Sequence, residues 1–225
     1  SEELYAQYNL IPLPAGNTGV QMGGWFNREI NSISDLKGLK MRIPGFGGNV
    51  LERAGGTPIL MAGGELYTSL ERGVIDALEW IGPFHDYQMG FYNIAKYYYA
   101  PGWQEPGTVL EMMFNKEKFE ELPSDLQAIL RTAALRINYQ VLLEIETKNA
   151  EYLDKLVTEE GVKIRTFPAD IMQTFRQYTK DILEEMVAQD PFIKKSYASY
   201  EAFRAKARAW SQWSEKKFYD DLTEG

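Results

Sequence analysis

Residues 39–81, LKMRIPGFGGNVLERAGGTPILMAGGELYTSLERGVIDALEWI, decide the fold. Apolar and charged residues alternate at the start of this stretch, and two further apolar runs follow it, separated by segments that open with glycines. The predicted elements are strands over residues 39–43, 57–60 and 74–81 and helices over residues 45–54 and 65–72. Because strands and helices alternate at this spacing, we expect an α/β fold built from βα units, with a largely parallel sheet.

The rest of the chain is predicted to be mostly helical. Apolar residues recur there at three- and four-residue spacing, which is the stripe of an amphipathic helix. The predicted elements are strands over residues 97–100, 108–114 and 162–167, long helices over residues 123–156 and 191–222, and a helix started by Pro168. A final helix of about 30 residues would span about 45 Å. That length exceeds one small lobe, so we expect the helix to cross two lobes or to reach a neighbouring molecule.

The composition is that of an ordinary globular protein, with 225 residues, 44% of them hydrophobic and 25% charged. A net charge of −8 argues against nucleic acid and anionic lipid as partners. The absence of cysteine excludes disulfides and thiolate catalysis, and a single histidine, His85, removes most histidine-based metal and triad chemistry. None of the glycine pairs forms a nucleotide-binding motif.

Three polar residues stand where the sequence predicts burial. Arg42 lies in a predicted strand, where a shielded guanidinium needs a ligand carboxylate or an internal salt bridge. Glu79 interrupts an apolar run, so an ionised carboxylate there needs a charged partner or a metal ion, unless it faces solvent at the end of the strand. Gln21 could offer its amide oxygen to a cation or its NH2 group to a ligand, or serve only the structure.

Other candidates have weaker support from the residues themselves. Glu105 lies in the loop sequence PGWQEPG, and glutamates in loops are usually solvated. Trp80 and Trp103 belong to a residue type that is more often packed in a core than used as a ligand platform. His85 is typical of a structural residue or one at the edge of a cleft.

Two motifs carry a resemblance to a known family. Residues 32–44 fit the pattern S-x-x-DLKGLK-x-R-x-P, and residues 64–77 fit G-E-x-Y-x-x-L-x-x-G-x-I-D-A. In their order and spacing they resemble the DctP family, the solute receptors of tripartite ATP-independent periplasmic (TRAP) transporters. The resemblance implies a two-lobed periplasmic-binding-protein-like fold with long C-terminal helices. It also implies that the chain lacks the N-terminal βα segment that family members carry.

Within that family the chain is most similar to the branch that binds 2-oxo acids such as pyruvate. Gln21, the Glu79–Trp80 pair and the PGW-x-E loop, residues 101–105, carry this likeness. The resemblance implies that Arg42 binds the substrate carboxylate. It implies that Gln21, Glu79 and the Trp80 backbone carbonyl ligate sodium or calcium, with Gln21 and Trp80 also contacting the substrate. Glu105 is expected to hydrogen-bond the substrate or a neighbouring group.

The implied function is capture in the periplasm of a small monocarboxylate, pyruvate-like or lactate-like, for membrane subunits of the DctQ and DctM type. This function involves no catalysis. The alternatives are a metal-assisted enzyme acting on 2-oxo acids and the ligand-sensing domain of a receptor. The predicted organisation is residues 1–16 as the remnant of lobe I, 17–107 as lobe II, 108–150 as the return to lobe I with the long helix, 151–190 as lobe II, and 191–225 as a C-terminal helix across the lobes or exchanged in a homodimer.

Overall fold

In a computed structural model, which describes residues 2–222, strands and helices alternate in the first half of the chain and helices dominate the second. The strands are β1 (Leu10–Asn17), β2 (Gly24–Phe26), β3 (Lys40–Arg42), β4 (Thr57–Ile59), β5 (Ala77–Leu78), β6 (Tyr97–Ala100), β7 (Val109–Asn115) and β8 (Lys163–Thr166). The α-helices are α1 (Glu2–Ala6), α2 (Gly45–Arg53), α3 (Leu66–Glu71), α4 (Pro83–Gln88), α5 (Lys116–Glu120), α6 (Ser124–Thr158), α7 (Ala169–Gln189), α8 (Pro191–Ser211) and α9 (Glu215–Leu222). The predicted α/β class is therefore confirmed.

The main sheet has the strand order β4-β3-β5-β2-β6-β8. Strand β3 pairs parallel with both β4 and β5, and β6 pairs parallel with β8. These three pairings agree with the predicted parallel sheet. However, β2 lies between β5 and β6 and pairs antiparallel with both, so the sheet is mixed. Strand β2 was not predicted from the sequence because it has only three residues and begins within a pair of glycines. Gly24 itself adopts a φ of +116°, and a Cβ there would come within 2.4 Å of the Leu78 carbonyl oxygen. Only glycine allows the two backbones to approach so closely.

One predicted strand is much shorter than expected. The apolar run 74–81 contributes only β5, because its first residues close the preceding helix instead of extending the sheet. The N–H groups of Val74 and Ile75 both donate to the Ser69 carbonyl, at 2.9 and 3.3 Å. Beyond Leu78 the chain leaves the sheet toward α4, and this places Glu79 at the point of departure.

The core around the main sheet is rich in aromatic side chains. Trp25 on β2 stacks on Tyr98 of β6 with ring centroids 4.1 Å apart, and both are fully buried. The buried residues of this cluster are Trp25, Leu66, Leu70, Ile75, Leu78, Phe91, Ala95, Tyr98, Leu156 and Val162. Burying several large aromatic residues in one cluster is a major contribution to the stability of a small sheet.

A second sheet consists of β1 and β7, paired antiparallel, with α6 packed against β1. The sequence analysis did not predict β1 because Pro12 and Pro14 remove backbone donors, which disfavours a strand interior. The structure accommodates the prolines with an irregular register between Pro14 and Gly16. Helix α6 matches the predicted long helix, but its apolar stripe is not a buried face. The exposed members are Leu126, Ile129 and Ile137, and the buried ones are Ala134 and Ile145.

The chain divides into two compact units, residues 1–175 and 176–225. The second unit contains the C-terminal part of α7, together with α8 and α9. The single final helix predicted over residues 191–222 is interrupted by a turn at residues 212–214. Residues 223–225 of the predicted C-terminal segment lie outside the described residues. No helix in the described part of the chain is long and apolar enough to cross a membrane. The lobe boundaries derived from the sequence stay a prediction.

Candidate functional site

Arg42 and Glu79 lie next to each other at the carboxyl ends of two parallel strands. Arg42 is the last residue of β3 and pairs with Leu78 of β5. The Glu79 N–H group then donates to the Arg42 carbonyl at 3.1 Å. In open α/β sheets, ligands bind at this end of the strands. The backbone alone therefore brings two of the predicted site residues to the edge of the sheet where a ligand would bind.

The side chains of these two residues form a buried ion pair. Arg42 Nη1 donates to Glu79 Oε1 at 2.5 Å and to the Glu79 carbonyl oxygen at 2.7 Å. The side chains are only 12% and 2% exposed. The Arg42 guanidinium also lies 5.4 Å from the centre of the Trp80 ring, within range of a cation–π interaction. Arg42 Nε is buried and has no protein hydrogen-bond partner within residues 2–222.

Glu79 carries the strongest electrostatic perturbation at this site. Burial raises the pKa of its carboxyl to about 8, against the lowering effect of the Arg42 charge, and the charges of Glu105 and Asp86 raise it further. A hydrogen bond from the Gln104 side chain lowers it. A carboxylate in this position therefore benefits from a second positive charge in addition to Arg42.

Gln21 is buried, with 4% of its surface exposed. Its Nε2 donates to two threonine hydroxyls, Thr18 Oγ1 and Thr108 Oγ1, each at 3.2 Å. Its Oε1 is buried and has no partner among the protein atoms of the described residues. Leaving a buried acceptor unsatisfied costs about 1–3 kcal/mol, and such an atom in a native protein calls for an explanation.

The loop after β6 is hydrogen-bonded to the segment that carries Gln21. The Gln21 N–H donates to the Glu105 carbonyl at 3.3 Å, and the Gly102 N–H donates to the Gln21 carbonyl at 2.8 Å. In the same loop, Gln104 Nε2 donates to the Met22 carbonyl at 3.0 Å, and its Oε1 is a second buried oxygen without a protein partner in the described chain. The carboxylate of Glu105 is partly buried and has a protein partner, since its Oε2 accepts a 2.5 Å hydrogen bond from the Thr108 hydroxyl.

The remaining aromatic candidates have packing contacts. The Trp80 ring covers Gly63, where a Cβ would come within 2.9 Å of the ring. Trp103 packs on Phe175 with ring centroids 4.1 Å apart. His85 is half-buried with its ring 4.8 Å from that of Phe84, and burial and the Lys148 charge lower its pKa.

The sequence analysis missed four residues of this region, namely Thr18, Asp86, Gln104 and Thr108. Asp86 is fully buried beside the site, where its carboxylate accepts four hydrogen bonds. The charge of Asp86 in a short helix gives no signal by itself. Gln104 lies directly beside the predicted Glu105, and only the folded loop shows that its amide reaches Met22.

A family model described as bacterial extracellular solute-binding protein, family 7 (DctP), matches residues 2–190. The chain belongs to the DctP family. Among curated DctP relatives, a monocarboxylate 2-oxoacid-binding periplasmic protein of Nostoc sp. is 42% identical over 217 residues, or 96% of this chain. The alignment spans 59% of the Nostoc protein, so the chain corresponds to less than two thirds of that relative's length.

Two solved DctP structures have nearly the same fold. A TRAP periplasmic solute-binding protein from Colwellia psychrerythraea, with bound calcium and pyruvate, is 44% identical and superimposes with a TM-score of 0.95. One from Pseudoalteromonas atlantica, with bound sodium and pyruvate, is also 44% identical, with a TM-score of 0.94. Each comparison covers 98% of this chain and 67% of the solved chain. The resemblance to DctP receptors drawn from the sequence motifs is thus confirmed, and both the family and these neighbours are solute-binding proteins.

The donor atoms of this DctP chain fit a hard cation. Sodium and calcium prefer oxygen ligands. Gln21 Oε1 and the Glu79 carboxylate provide buried oxygens. The segments that carry these two residues are neighbours, because the Met22 N–H donates to the Ile81 carbonyl at 3.0 Å. Residues 2–222 contain no group of three or more His, Cys, Asp or Glu side chains that could hold a metal ion. A cation here would therefore depend on amide, carbonyl and ligand oxygens as well as on Glu79.

Proposed function

We propose that this DctP chain captures a small monocarboxylate 2-oxo acid, such as pyruvate, together with sodium or calcium. Two observations carry the proposal: the buried Arg42–Glu79 pair, and, on a neighbouring segment, the Gln21 amide oxygen that no donor within residues 2–222 satisfies. The cations and pyruvate named for the solved relatives support the same chemistry. In this proposal the captured acid passes to the membrane subunits of a TRAP transporter.

The roles implied by the family resemblance are compatible with the hydrogen-bonding groups of these residues. Arg42 Nη1 is held by Glu79, while Nε, which has no partner within residues 2–222, belongs to the other edge of the guanidinium and can donate to a ligand carboxylate. Gln21 Oε1, the Glu79 carboxylate and the Trp80 backbone carbonyl would ligate the cation. The ligand carboxylate and its 2-oxygen would complete the shell, where Gln21 and Trp80 would also contact the acid.

The charges of this arrangement offset one another. Arg42 offsets the ligand carboxylate, and the cation offsets the buried Glu79. Glu105 is held by Thr108, so its contribution to the substrate is indirect and runs through the groups that surround Gln21. We also propose that the protein lies in the periplasm, because its relatives are described as periplasmic proteins. The lobe boundaries given by the sequence belong to the same proposal.

A thermal-shift experiment on the full product of the gene tests the capture of the acid. We expect pyruvate and related 2-oxo acids to raise the unfolding midpoint only when sodium or calcium is present, because a ligand that binds the native state stabilises it by mass action, by about 2.7 kcal/mol at 100 times its Kd. Lactate tests whether a 2-hydroxyl can replace the 2-oxygen, and propionate, which has neither, should give no shift.

The Colwellia protein serves as the positive control for the assay. If it responds to calcium and pyruvate while the present protein responds to no combination of acid and cation, the proposed function is wrong. Turnover of pyruvate in the same mixtures, followed by loss of the acid, would instead favour a metal-assisted enzyme.

We also propose a homodimer through the second unit. The helices of this unit and the turn between α8 and α9 expose large aromatic side chains, which is unusual for a surface without a partner. These residues are Tyr200, Phe203, Trp210, Trp213 and Phe218. We expect light scattering to give twice the monomer mass, and Trp210→Ser with Trp213→Ser to reduce it to the monomer mass. A wild-type protein that is strictly monomeric at high concentration would contradict this proposal.

A further inference from the structure

Two threonine hydroxyls fix the orientation of the Gln21 amide. The first belongs to Thr108, whose Oγ1 lies 2.5 Å from Glu105 Oε2. An ionised carboxylate only accepts hydrogen bonds, so the single proton of this hydroxyl goes to Glu105. The Thr108 oxygen can then only accept from Gln21, and the amide atom that faces it at 3.2 Å must be the nitrogen.

The second hydroxyl, that of Thr18, has the same polarity. Its proton is donated to the Gly19 carbonyl at 3.0 Å, and its oxygen accepts from the Thr108 N–H at 3.1 Å. It therefore also faces Gln21 as an acceptor, at 3.2 Å. Both hydrogens of the Gln21 NH2 group are used by these hydroxyls, and the two bonds leave no freedom for the amide to rotate by half a turn.

We propose that Glu105, Thr108 and Thr18 are positioning residues that turn the Gln21 amide so that its oxygen, and not its NH2 group, is presented to the cation. This inference rests on the proposed function and extends it. The hydrogen bonds run as a relay from Gln21 through Thr108 to Glu105, so the charge of Glu105 sets which atom of the buried Gln21 amide is available. Outer partners of this kind orient metal ligands in many sites, and their loss costs about 10- to 100-fold in affinity.

Thr108→Val tests the relay, because valine keeps the shape of threonine and removes the hydroxyl. We expect calorimetry to show a calcium or sodium Kd, measured with saturating pyruvate, that is about 10- to 100-fold weaker than that of the wild type. Thr108→Ser restores the hydroxyl and should recover most of the affinity. Thr147→Val is the matched control, because the Thr147 hydroxyl bonds the Leu143 carbonyl on the exposed face of α6. It should leave the cation Kd unchanged.

Glu105→Gln provides a second test of polarity. A glutamine can donate to Thr108 Oγ1 as well as accept from it, so the Thr108 proton is no longer committed to residue 105 and the opposite orientation of the Gln21 amide becomes accessible. We expect a cation Kd weaker than that of the wild type but less affected than in Thr108→Val, with an unfolding midpoint of the ligand-free protein close to that of the wild type.

The outcomes separate this inference from the proposed function. If the wild type binds the cation and pyruvate but Thr108→Val binds them equally well, the relay is wrong and the proposed function stands. Equal losses in Thr108→Val and Thr108→Ser would assign the effect to packing and would also overturn the relay. If the wild type binds neither cation nor acid, both proposals fail.

Discussion

Replacing Arg42 with alanine should lower the affinity for a 2-oxo acid by about 30- to 4,000-fold. Removing one partner of a buried, hydrogen-bonded charge pair costs about 2–5 kcal/mol, and 1.4 kcal/mol corresponds to a factor of ten in Kd. In the proposed site Arg42 is the cationic side chain that faces the ligand carboxylate, so a shorter side chain cannot replace it. Arg42→Lys should lose nearly as much, because an ammonium group cannot contact Glu79 and a carboxylate with two edges of a planar fork.

The measurement is a calorimetric titration with pyruvate at saturating calcium, alongside the unfolding midpoint of each ligand-free variant. The second value matters because Arg42→Ala also leaves the buried Glu79 carboxylate without its partner. Arg165→Ala is the control, since Arg165 pairs with Glu29 on a partly exposed part of the same sheet. Exposed pairs contribute only about 0–1 kcal/mol, so both stability and binding should change little. An Arg42→Ala variant that is folded and binds pyruvate like the wild type would remove Arg42 from the site.

The elements that the sequence predicted well share one property, which is that their periodicity is local. Helix α6 and strands β3 and β6 are defined by the spacing of their own residues, and their observed bounds lie within a few residues of the predicted ones. Strand β2 is different, because its three residues become a strand only through the neighbours β5 and β6. The same holds for β1, whose prolines oppose a strand until β7 pairs with it.

The candidate site shows the same division. Arg42 and Glu79 were recognisable because a charge in an apolar run needs a partner, but the sequence did not show that they are partners of each other. The roles given to Gln21, Trp80 and Glu105 came from the family resemblance, and those roles stay proposals. The threonines that orient Gln21 were not recognisable, since one of them, Thr108, lies 87 positions away along the chain. Hydrogen-bond direction is a property of the folded network and leaves no periodic trace in a sequence.

Asp86 is the residue whose loss should destabilise the fold most. Its carboxylate is fully buried and accepts from Trp25 Nε1 at 2.9 Å, Tyr98 OH at 2.8 Å, and the N–H groups of Ile81 and Gly82 at 3.0 Å. Burial raises the pKa of the Asp86 carboxyl to about 6. The hydrogen bonds from Tyr98, Trp25 and the two backbone N–H groups lower this pKa and so keep the rise small enough for the group to be ionised at pH 8. The network joins the stacked aromatic pair of the core to the segment that directly follows Glu79 and Trp80.

Asp86→Ala should therefore lower the free energy of unfolding by about 4 kcal/mol, because each of several buried donors left without an acceptor costs about 1–3 kcal/mol. In a chain of this size the unfolding midpoint should fall by about 8–16 °C. Urea unfolding at pH 8 measures the loss, with Asp35→Ala as the control, since water can replace the solvated Asp35 carboxylate at the Asn31 and Ser32 N–H groups.

Tyr98→Phe should destabilise the wild type by about 1 kcal/mol and yet be neutral or stabilising in the Asp86→Ala background, where it removes a donor that has lost its acceptor. If Tyr98→Phe costs the same in both backgrounds, the hydrogen bond between Tyr98 and Asp86 contributes nothing, and the four-donor account of Asp86 is wrong.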